Sequence, residues 1–252
     1  MVRGLILSLF PGLGLLDVGF AEQGWTVVRG PDIVYGKLHD IRHFHPPAGV
    51  FEGIIGGPPC QAHSRLAAVV RSRYGEDHVV PDLIPEFARC IAEAGPEWFL
   101  MENVPNAPSP QVSGYAVHSF LLNNRWLVNG TPQNRLRKFC FGIRGDEEVD
   151  LRRWIKYAPL EPVEYEGAVL ANGQFQERQL SKKIDGSNAL VRKSLRLQGL
   201  PEDFFDAAPL TVEGKQRLIG NAVPLPMSRT IAGAIRSFLR SKGVSHVHAG
   251  DH

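Results

Sequence analysis

The chain has 252 residues, of which 43% are hydrophobic and 21% charged, and its formal net charge at pH 7 is +2. These values are ordinary for a folded protein and allow one large domain, or one domain with a small appendage. No apolar run is long enough to cross a bilayer, which excludes a helical membrane protein. The three cysteines form neither a disulfide framework nor a metal-ligand spacing, so we expect a reducing, cytoplasmic location and no bound metal.

The first half of the chain alternates strand and helix signals. Short apolar runs predict strands at 5–10, 25–28, 50–55, 98–101 and 138–143. Helical patterns, the first two closed by a glycine, predict helices at 15–23, 84–94, 117–124 and 226–240. This alternation is typical of an α/β protein with a mostly parallel sheet, in which ligands bind beyond the carboxyl ends of the strands.

The pattern weakens after Gly145, and we predict a domain boundary there. Residues 146–190 hold few periodic segments and many turn formers. The predicted division is a main domain at 1–145, a small irregular domain at 146–205, a return to the main domain at 206–240 and a disordered polar tail at 241–252.

Cys60 follows the third predicted strand on a stiff turn. Two glycines and two prolines, in the run Gly56-Gly57-Pro58-Pro59, constrain the backbone immediately before it. Glu102 follows the next strand, so two strand ends offer a thiol and a carboxylate to one pocket. This pairing favours a nucleophile with a proton donor over the alternative, a small apolar cysteine packed in a loop.

A glycine-containing turn follows the first predicted strand. Its run, Phe10-Pro11-Gly12-Leu13-Gly14, would let an adenosine-containing cofactor approach the backbone, although the third glycine of the dinucleotide pattern is absent. Asp32 and Asp40 come next along the chain, and their carboxylates could accept hydrogen bonds from ribose hydroxyls or an adenine amino group. The alternative for each aspartate is a turn or helix-cap residue.

Five segments, in order, resemble the motifs of the DNA (cytosine-5)-methyltransferase family and cover nearly the whole chain. They are Gly57-Pro58-Pro59-Cys60-Gln61, Glu102-Asn103-Val104, Gln133-Asn134-Arg135-Leu136-Arg137, Arg196-Leu197-Gln198-Gly199-Leu200-Pro201 and Gly220-Asn221-Ala222-Val223-Pro224. The resemblance implies a Rossmann-like, S-adenosylmethionine-dependent methyltransferase sheet with 146–205 as a small target-recognition domain. The chain departs from the family at Leu15, where a glycine is common, and at Lys193, where glutamate is frequent.

The resemblance implies methyl transfer from S-adenosylmethionine to C5 of a cytosine flipped out of duplex DNA. Cys60 would add to C6 of the base, and Glu102 would donate a proton or hydrogen bond at N3. Arg137 would contact the acid and the base, and Arg135 would also lie in the active site. Burial would raise the pKa of Glu102 while the arginines would lower it, and the sequence leaves this balance open.

The resemblance also implies contacts for the cofactor and for DNA. The cofactor contacts are Phe10, Gly12, Leu13, Gly14, Asp32, Asp40, Ile41, Leu83, Asn221 and Ala222. The DNA contacts, on Gln61 and a mobile loop at about 62–81, are Gln61, Ser64, Arg65, Arg71 and Arg73. We expect a monomer in the cytoplasm of a bacterium or a viral host cell, with duplex DNA and a cognate restriction endonuclease as partners and no membrane.

Two alternatives remain open from the sequence, an RNA cytosine-5 methyltransferase and a catalytically weak DNA-binding regulator on the same scaffold. The short recognition region leads to a further expectation. Since each good base contact contributes only about 1–3 kcal/mol of discrimination, we predict a recognition site of about two to four base pairs.

Overall fold

The computed structural model describes residues 2–59, 81–159, 164–171 and 188–243 and has a mixed six-stranded sheet at its centre. Its strands are β1 (Val2–Leu9), β2 (Thr26–Arg29), β3 (Phe51–Gly56), β4 (Trp98–Asn103), β5 (Tyr115–Asn123), β6 (Gln133–Asn134), β7 (Leu136–Arg144) and β8 (Glu166–Gly167). The central sheet has the order β2-β1-β3-β4-β7-β5, and β6 pairs separately with β8. β2, β1, β3 and β4 are parallel, whereas β7 is antiparallel to both of its neighbours.

Helices cover both faces of this sheet, which confirms the predicted Rossmann-like α/β fold. They are α1 (Leu15–Glu22), α2 (Ile84–Ala94), α3 (Asn188–Leu197), α4 (Val212–Asn221) and α5 (Leu225–Ser241). α1 and α5 pack on one face, with Phe20, Trp98 and Phe139 in the core between them and the sheet. α2 packs on the other face, where Phe87 contacts Phe99 edge to face. Because both faces are covered, β3 and β4 are buried along their full length, as expected for central parallel strands.

The prediction of a helix at 117–124 was wrong, because residues 117–123 belong to strand β5 and Asn124 begins a single 3-10 turn. β5 pairs antiparallel with β7 from Tyr115 to Asn123. Its side chains alternate in exposure toward its end: Ser119 and Leu121 are exposed, whereas Phe120 and Leu122 are buried. This two-residue period belongs to a strand with one covered face, and pairing with β7 outweighs the local apolar run that suggested a helix.

A third cluster of apolar side chains lies beside the carboxyl edge of the parallel strands. It joins α3 and α4 to the first turns of α1 and α5 through residues such as Leu195, Ile219 and Leu225. Residues of the segment after β7, including Leu151, pack instead into the core beneath α5. The predicted division at 146, 205 and 240 stays a prediction, and the predicted disordered tail falls mostly outside the described residues.

Within the described ranges, no helix is both long enough and apolar enough to cross a membrane. Histidine, cysteine, aspartate and glutamate side chains in the same ranges form no group of three or more that could hold a metal ion.

Candidate active site

A cavity of about 400 Å³ opens at the carboxyl edge of β1, β3 and β4. The described site residues that line it are Phe10, Gly12, Leu13, Asp32, Asp40, Ile41, Leu83, Glu102, Arg135, Arg137, Asn221 and Ala222. Gly14 is not among the lining residues and caps α1 with a left-handed backbone (φ +79°). The remaining predicted residues lie outside the described part of the chain: Cys60, Gln61, Ser64, Arg65, Arg71 and Arg73.

Glu102 and Arg137 form an ion pair at the base of the cavity. Glu102 lies opposite Phe139 in the β4–β7 ladder, and Arg137 is two residues before Phe139, so the two side chains are diagonal neighbours on one face. Arg137 Nε lies 3.0 Å from Glu102 Oε1. Because β7 runs antiparallel, its first residues reach the edge at which β4 ends.

The carboxyl of Glu102 is predisposed to hold a proton. The residue is only 8% exposed, and burial raises its pKa above the usual range, while the charges of Arg137 and Arg135 act in the opposite direction. Burial is the larger effect. The sequence left open whether burial or the arginines dominate, and in the structure burial dominates and the pKa of Glu102 is raised.

Asn103 fixes the turn that leads to Cys60. Its buried side chain donates a hydrogen bond from Nδ2 to the carbonyl of Pro58 at 3.1 Å. Its Oδ1 accepts a hydrogen bond from the amide of Val104 at 2.8 Å. The end of β4 and the turn after β3 are thus tied together two residues before Cys60. Sequence reasoning placed Asn103 in a motif without giving it a role, although its position beside Glu102 was a usable signal.

Arg135 contacts main-chain carbonyls with its guanidinium. It is 1% exposed and donates hydrogen bonds to the carbonyls of Val169 at 2.6 Å, Gly220 at 2.7 Å and Ala222 at 3.0 Å. These carbonyls belong to the segment after β8, to the last turn of α4, which also carries Asn221, and to the residue that follows α4. The active-site role that the resemblance implied for Arg135 stays a prediction. The contacts seen here hold separate main-chain segments together, and we call this set of hydrogen bonds the clamp.

Two buried glutamines extend this clamp. Gln133 Nε2 donates to the carbonyl of Leu197 at 2.6 Å, and Gln198 Nε2 donates to the carbonyl of Ile219 at 2.7 Å. Both side chains are fully buried, where an unpaired amide would cost free energy. They hold α3 and α4 against β6. Sequence reasoning gave neither glutamine a specific contact, and their places inside matched motifs were the signal.

The turn after β1 forms the opposite wall of the cavity. Phe10 has φ of +55°, a left-handed conformation that is costly outside glycine and is common at functional turns. The amide of Gly12 donates to Asp32 Oδ2 at 2.8 Å, and the amide of Val34 donates to Asp32 Oδ1 at 2.9 Å. Asp32 is therefore a cap residue that also fixes the glycine turn.

Asp40 lines the same wall and is paired with Arg42. The hydrogen bonds from Arg42 include one from Nη2 to Asp40 Oδ2 at 2.5 Å, and they lower the pKa of Asp40 to about 2. Arg89 on α2 holds this segment from below, because its Nη2 donates to the carbonyls of Ile41 at 2.8 Å and Phe44 at 3.0 Å. The carboxylate of Asp40 thus stays ionised and fixed in place.

The Rossmann-like sheet carries a buried acid–arginine pair at its carboxyl edge, an arrangement in keeping with the methyltransferase that the motifs predicted. The model of the C-5 cytosine-specific DNA methylase family matches residues 5–190, and the chain belongs to that family. The resemblance seen in the sequence motifs is therefore confirmed.

Individual relatives agree with this assignment. Type II methyltransferase M.MthTI of Methanothermobacter thermautotrophicus is 25% identical over 328 aligned positions, which cover 93% of this chain and 97% of the relative. This aligned length exceeds 252 residues, so the relative contains residues that this chain lacks.

Solved structures support the fold. The Entamoeba histolytica methyltransferase EhMeth aligns with a TM-score of 0.59 at 11% identity, over 96% of this chain and 99% of that one. The S. pombe Dnmt2 methyltransferase aligns with a TM-score of 0.58 at 13% identity, over 95% and 99%. At such low identity these likenesses concern the fold.

Proposed function

We propose that the protein transfers a methyl group from S-adenosylmethionine to C5 of a flipped-out cytosine in duplex DNA, with Cys60 as the nucleophile. One observation carries the proposal: the buried Glu102–Arg137 pair faces the same cavity as the glycine turn and Asn221. Membership of the C-5 cytosine-specific DNA methylase family supports the same reaction.

The residues around the cavity fit S-adenosylmethionine. Asp32 and Asp40 place carboxylate oxygens beside the glycine turn, where they can accept hydrogen bonds from ribose hydroxyls and an adenine amino group. Phe10, Ile41 and Leu83 offer apolar surface for an adenine ring. When bound, S-adenosylmethionine supplies an electrophilic methyl group. Asn221 and Ala222 would hold its other end, beside the carbonyls that Arg135 clamps.

The proposed chemistry begins with the thiolate of Cys60, which adds to C6 of cytosine and forms a C–S bond. The electron pair of the C5–C6 double bond shifts toward N3, where Glu102 stabilises it by donating a proton or hydrogen bond. C5 thereby becomes nucleophilic enough to take the methyl group, whose bond to the sulfur of S-adenosylmethionine would break. After C5 carries the methyl group, a base removes the C5 proton. The C–S bond then breaks, which returns the thiolate and restores the aromatic ring.

The geometry supports these roles for Glu102 and Arg137. A carboxyl whose pKa is raised by burial is protonated in a larger fraction of molecules, so it can act as the donor at N3. Arg137 holds the carboxyl in one orientation through its 3.0 Å contact. Asn103 fixes the carbonyl of Pro58, two residues before the proposed nucleophile in sequence.

DNA recognition belongs to the proposal as well. A base inside a duplex is inaccessible, so the cytosine must be flipped out. We assign the DNA contacts to Gln61, Ser64, Arg65, Arg71 and Arg73, and target recognition to 146–205. The shortness of the segment at 146–205 supports a short recognition site. We further propose a cytoplasmic monomer with a cognate restriction endonuclease, which the type II names of the relatives support.

The decisive test is covalent trapping on duplex DNA that contains 5-fluorocytosine. Because fluorine cannot leave as a proton does, the adduct between Cys60 and C6 should accumulate and survive denaturation when S-adenosylmethionine is present. Cys60→Ser should abolish both the adduct and methyl transfer. The matched control is Cys90→Ala, since Cys90 is fully buried and burial raises the pKa of its thiol to about 11.

Failure of the wild type to form the adduct on DNA pools that cover all short sequence contexts would refute the mechanism. Parallel methylation assays on duplex DNA and on RNA test the substrate. Transfer to RNA alone would replace DNA as the substrate while leaving the chemistry intact. Methylation mapping should show a site of about two to four base pairs, and a longer strict site would contradict that expectation.

A further inference from the structure

Arg125 differs from most arginines of the described chain in the partners of its guanidinium. Others bind carboxylates, as Arg29 does with Asp17, or carbonyls, as Arg135 does. Within the described residues, no carboxylate or carbonyl pairs with the guanidinium of Arg125, and the same holds for Arg153 and Arg240. Arg125 is exposed on the short turn after β5, and its charge is available to an anion.

Tyr165 holds the guanidinium of Arg125 by stacking. The guanidinium carbon lies 4.2 Å from the centre of the Tyr165 ring, well within the range of a cation–π contact. A guanidinium that lies over a ring keeps its N–H donors directed outward at its edges. The stack therefore lowers the entropy cost of holding the side chain and leaves a planar fork of donors that matches a phosphate.

The stack lies next to the candidate active site. The amide of Asn124, adjacent to Arg125, donates to the carbonyl of Arg135 at 3.2 Å. The amide of Glu166, adjacent to Tyr165, donates to the carbonyl of Pro132 at 2.8 Å. The two residues thus flank the short strand β6, whose chain continues into Arg137. The stack also crosses the predicted domain boundary, since Arg125 precedes residue 146 and Tyr165 follows it.

The surroundings of the stack favour an anionic and extended ligand. Val128, on the same turn as Arg125, is 56% exposed, and Tyr165 is 39% exposed. Of the two glutamates that flank Tyr165, Glu166 is neutralised by Lys193 at 2.8 Å, which leaves Glu164 as the nearest acid in sequence. A cation held on an aromatic ring, with apolar surface beside it, suits a sugar-phosphate chain better than a free inorganic ion.

We propose that Arg125 binds a backbone phosphate of the substrate DNA beside the flipped cytosine, and that Tyr165 is the positioning residue that holds its guanidinium ready. This proposal rests on the proposed function, because it takes duplex DNA as the substrate. Neither residue belongs to the segment for which the motifs imply DNA contacts. The stack adds a contact on the turn after β5, beside strand β6.

The test is the salt dependence of binding to a fluorescein-labelled, cytosine-rich DNA duplex of mixed sequence, followed by fluorescence anisotropy from ~50 to ~200 mM salt. Each phosphate contact contributes about 0.9 to the slope of log K against log salt, which amounts to about eightfold in affinity at ~0.1 M salt. Arg125→Ala should lose that amount of slope and affinity. Tyr165→Phe should bind like wild type, whereas Tyr165→Ala should lose about half of the effect in log K.

Arg240→Ala is the matched control, because Arg240 is also exposed and without a carboxylate or carbonyl partner in the described chain. It lies near the end of α5, roughly 20 Å along the helix from the edge that carries the cavity. An unchanged slope in Arg125→Ala, or a loss equal to that of Arg240→Ala, would overturn the proposal. A loss confined to RNA binding would also overturn it and assign the stack to RNA.

Methyl transfer separates this proposal from the proposed function. If the wild type transfers no methyl group but Arg125→Ala still lowers the salt slope of DNA binding by about 0.9, the function is wrong and the phosphate contact stands. If wild type methylates DNA and Arg125→Ala keeps its full salt slope, the function stands and the contact is wrong. The Arg125→Ala and Tyr165→Ala double variant should match Arg125→Ala alone, since Tyr165 acts through Arg125.

Discussion

Replacing Arg135 by methionine is expected to reduce stability far more than replacing Arg137 by methionine. Arg135 supplies donors to three buried carbonyls. Among the described residues, only the carbonyl of Ala222 has a second side-chain donor, Gln198 Nε2 at 3.3 Å. The carbonyls of Val169 and Gly220 would lose their donor. Gly220 lies in the last turn of α4, where carbonyls lack intrahelical partners.

The size of the effect follows from those two carbonyls. An unsatisfied buried acceptor costs about 1–3 kcal/mol, so the variant should lose about 2–6 kcal/mol of unfolding free energy. For a chain of this size each kcal/mol lowers the melting temperature by about 2–4 °C, which gives a fall of about 4–24 °C. Calorimetric melting of the wild type and both variants measures this difference.

Arg137→Met is the matched control, because it removes an arginine from the same cavity without removing a donor from the carbonyls of Val169 and Gly220. Its loss leaves Glu102 without a partner, but burial already favours the protonated carboxyl, so the melting temperature should fall less. Its turnover should fall by about 100-fold or more, as expected when an oriented acid is lost. If Arg135→Met melts within about 2 °C of wild type and has no activity, the clamp is wrong and Arg135 belongs to the chemistry.

Three further outcomes are expected at the other cavity residues. Glu102→Gln should remove a pH dependence of stability. Burial raises the pKa of Glu102 in the folded state, so the carboxyl of the unfolded chain ionises at a lower pH. Wild type therefore loses stability relative to the variant as pH rises above the usual value of 4.5 toward the raised pKa. Denaturant titrations across this window measure the unfolding free energy of both proteins. A wild type that gains stability relative to Glu102→Gln as pH rises would contradict the prediction. Asn103→Ala should lower kcat about tenfold through loss of one buried hydrogen bond to Pro58, with the KM for S-adenosylmethionine unchanged. Asp40→Asn should raise the KM for S-adenosylmethionine about tenfold without changing the KM for DNA, and equal changes in both would place Asp40 outside the cofactor site.

The sequence predicted the edge of the sheet at which the site lies, because the end of a buried strand can be recognised from neighbouring residues alone. Glu102 and the glycine turn each follow a run of apolar residues, and parallel strands bring such ends to one edge. Two helix bounds were also local: α2 spans 84–94 and ends at Gly95, whose φ is +59°, as the glycine signal predicted.

The difference between Arg135 and Arg137 could not be predicted from their spacing. The motif resemblance implied that both arginines belong to the active site, and in a regular strand residues two apart do share a face. The chain turns between β6 and β7, where the amide of Arg135 bonds to the carbonyl of Gln133 at 2.9 Å. Only partners distant in sequence, at Val169 and Gly220, show where the guanidinium of Arg135 goes.

β5 shows the same limit at the level of secondary structure. Residues 117–124 contain no glycine or proline, and their local pattern allows a helix. Their secondary structure depends on pairing with β7, which begins at Leu136. The connection between the two strands, residues 124–135, is too long and irregular to be recognised as a hairpin in the sequence. Likewise, the double role of Asp32 as cap and anchor depends on Gly12, which is 20 residues away.

The pairing of β7 with β4 is restricted to one register by a glycine. Gly142 lies opposite Phe99, and a Cβ at position 142 would come within 2.1 Å of the Phe99 ring. A slip of one residue would press Phe141 or Ile143 against that ring and turn Arg137 to the wrong face of the sheet. A glycine roughly 17 Å from the cavity thus sets where the proton-handling pair meets. A single methyl group at Gly142 would therefore displace β7 and change the position of Arg137 near the other end of that strand.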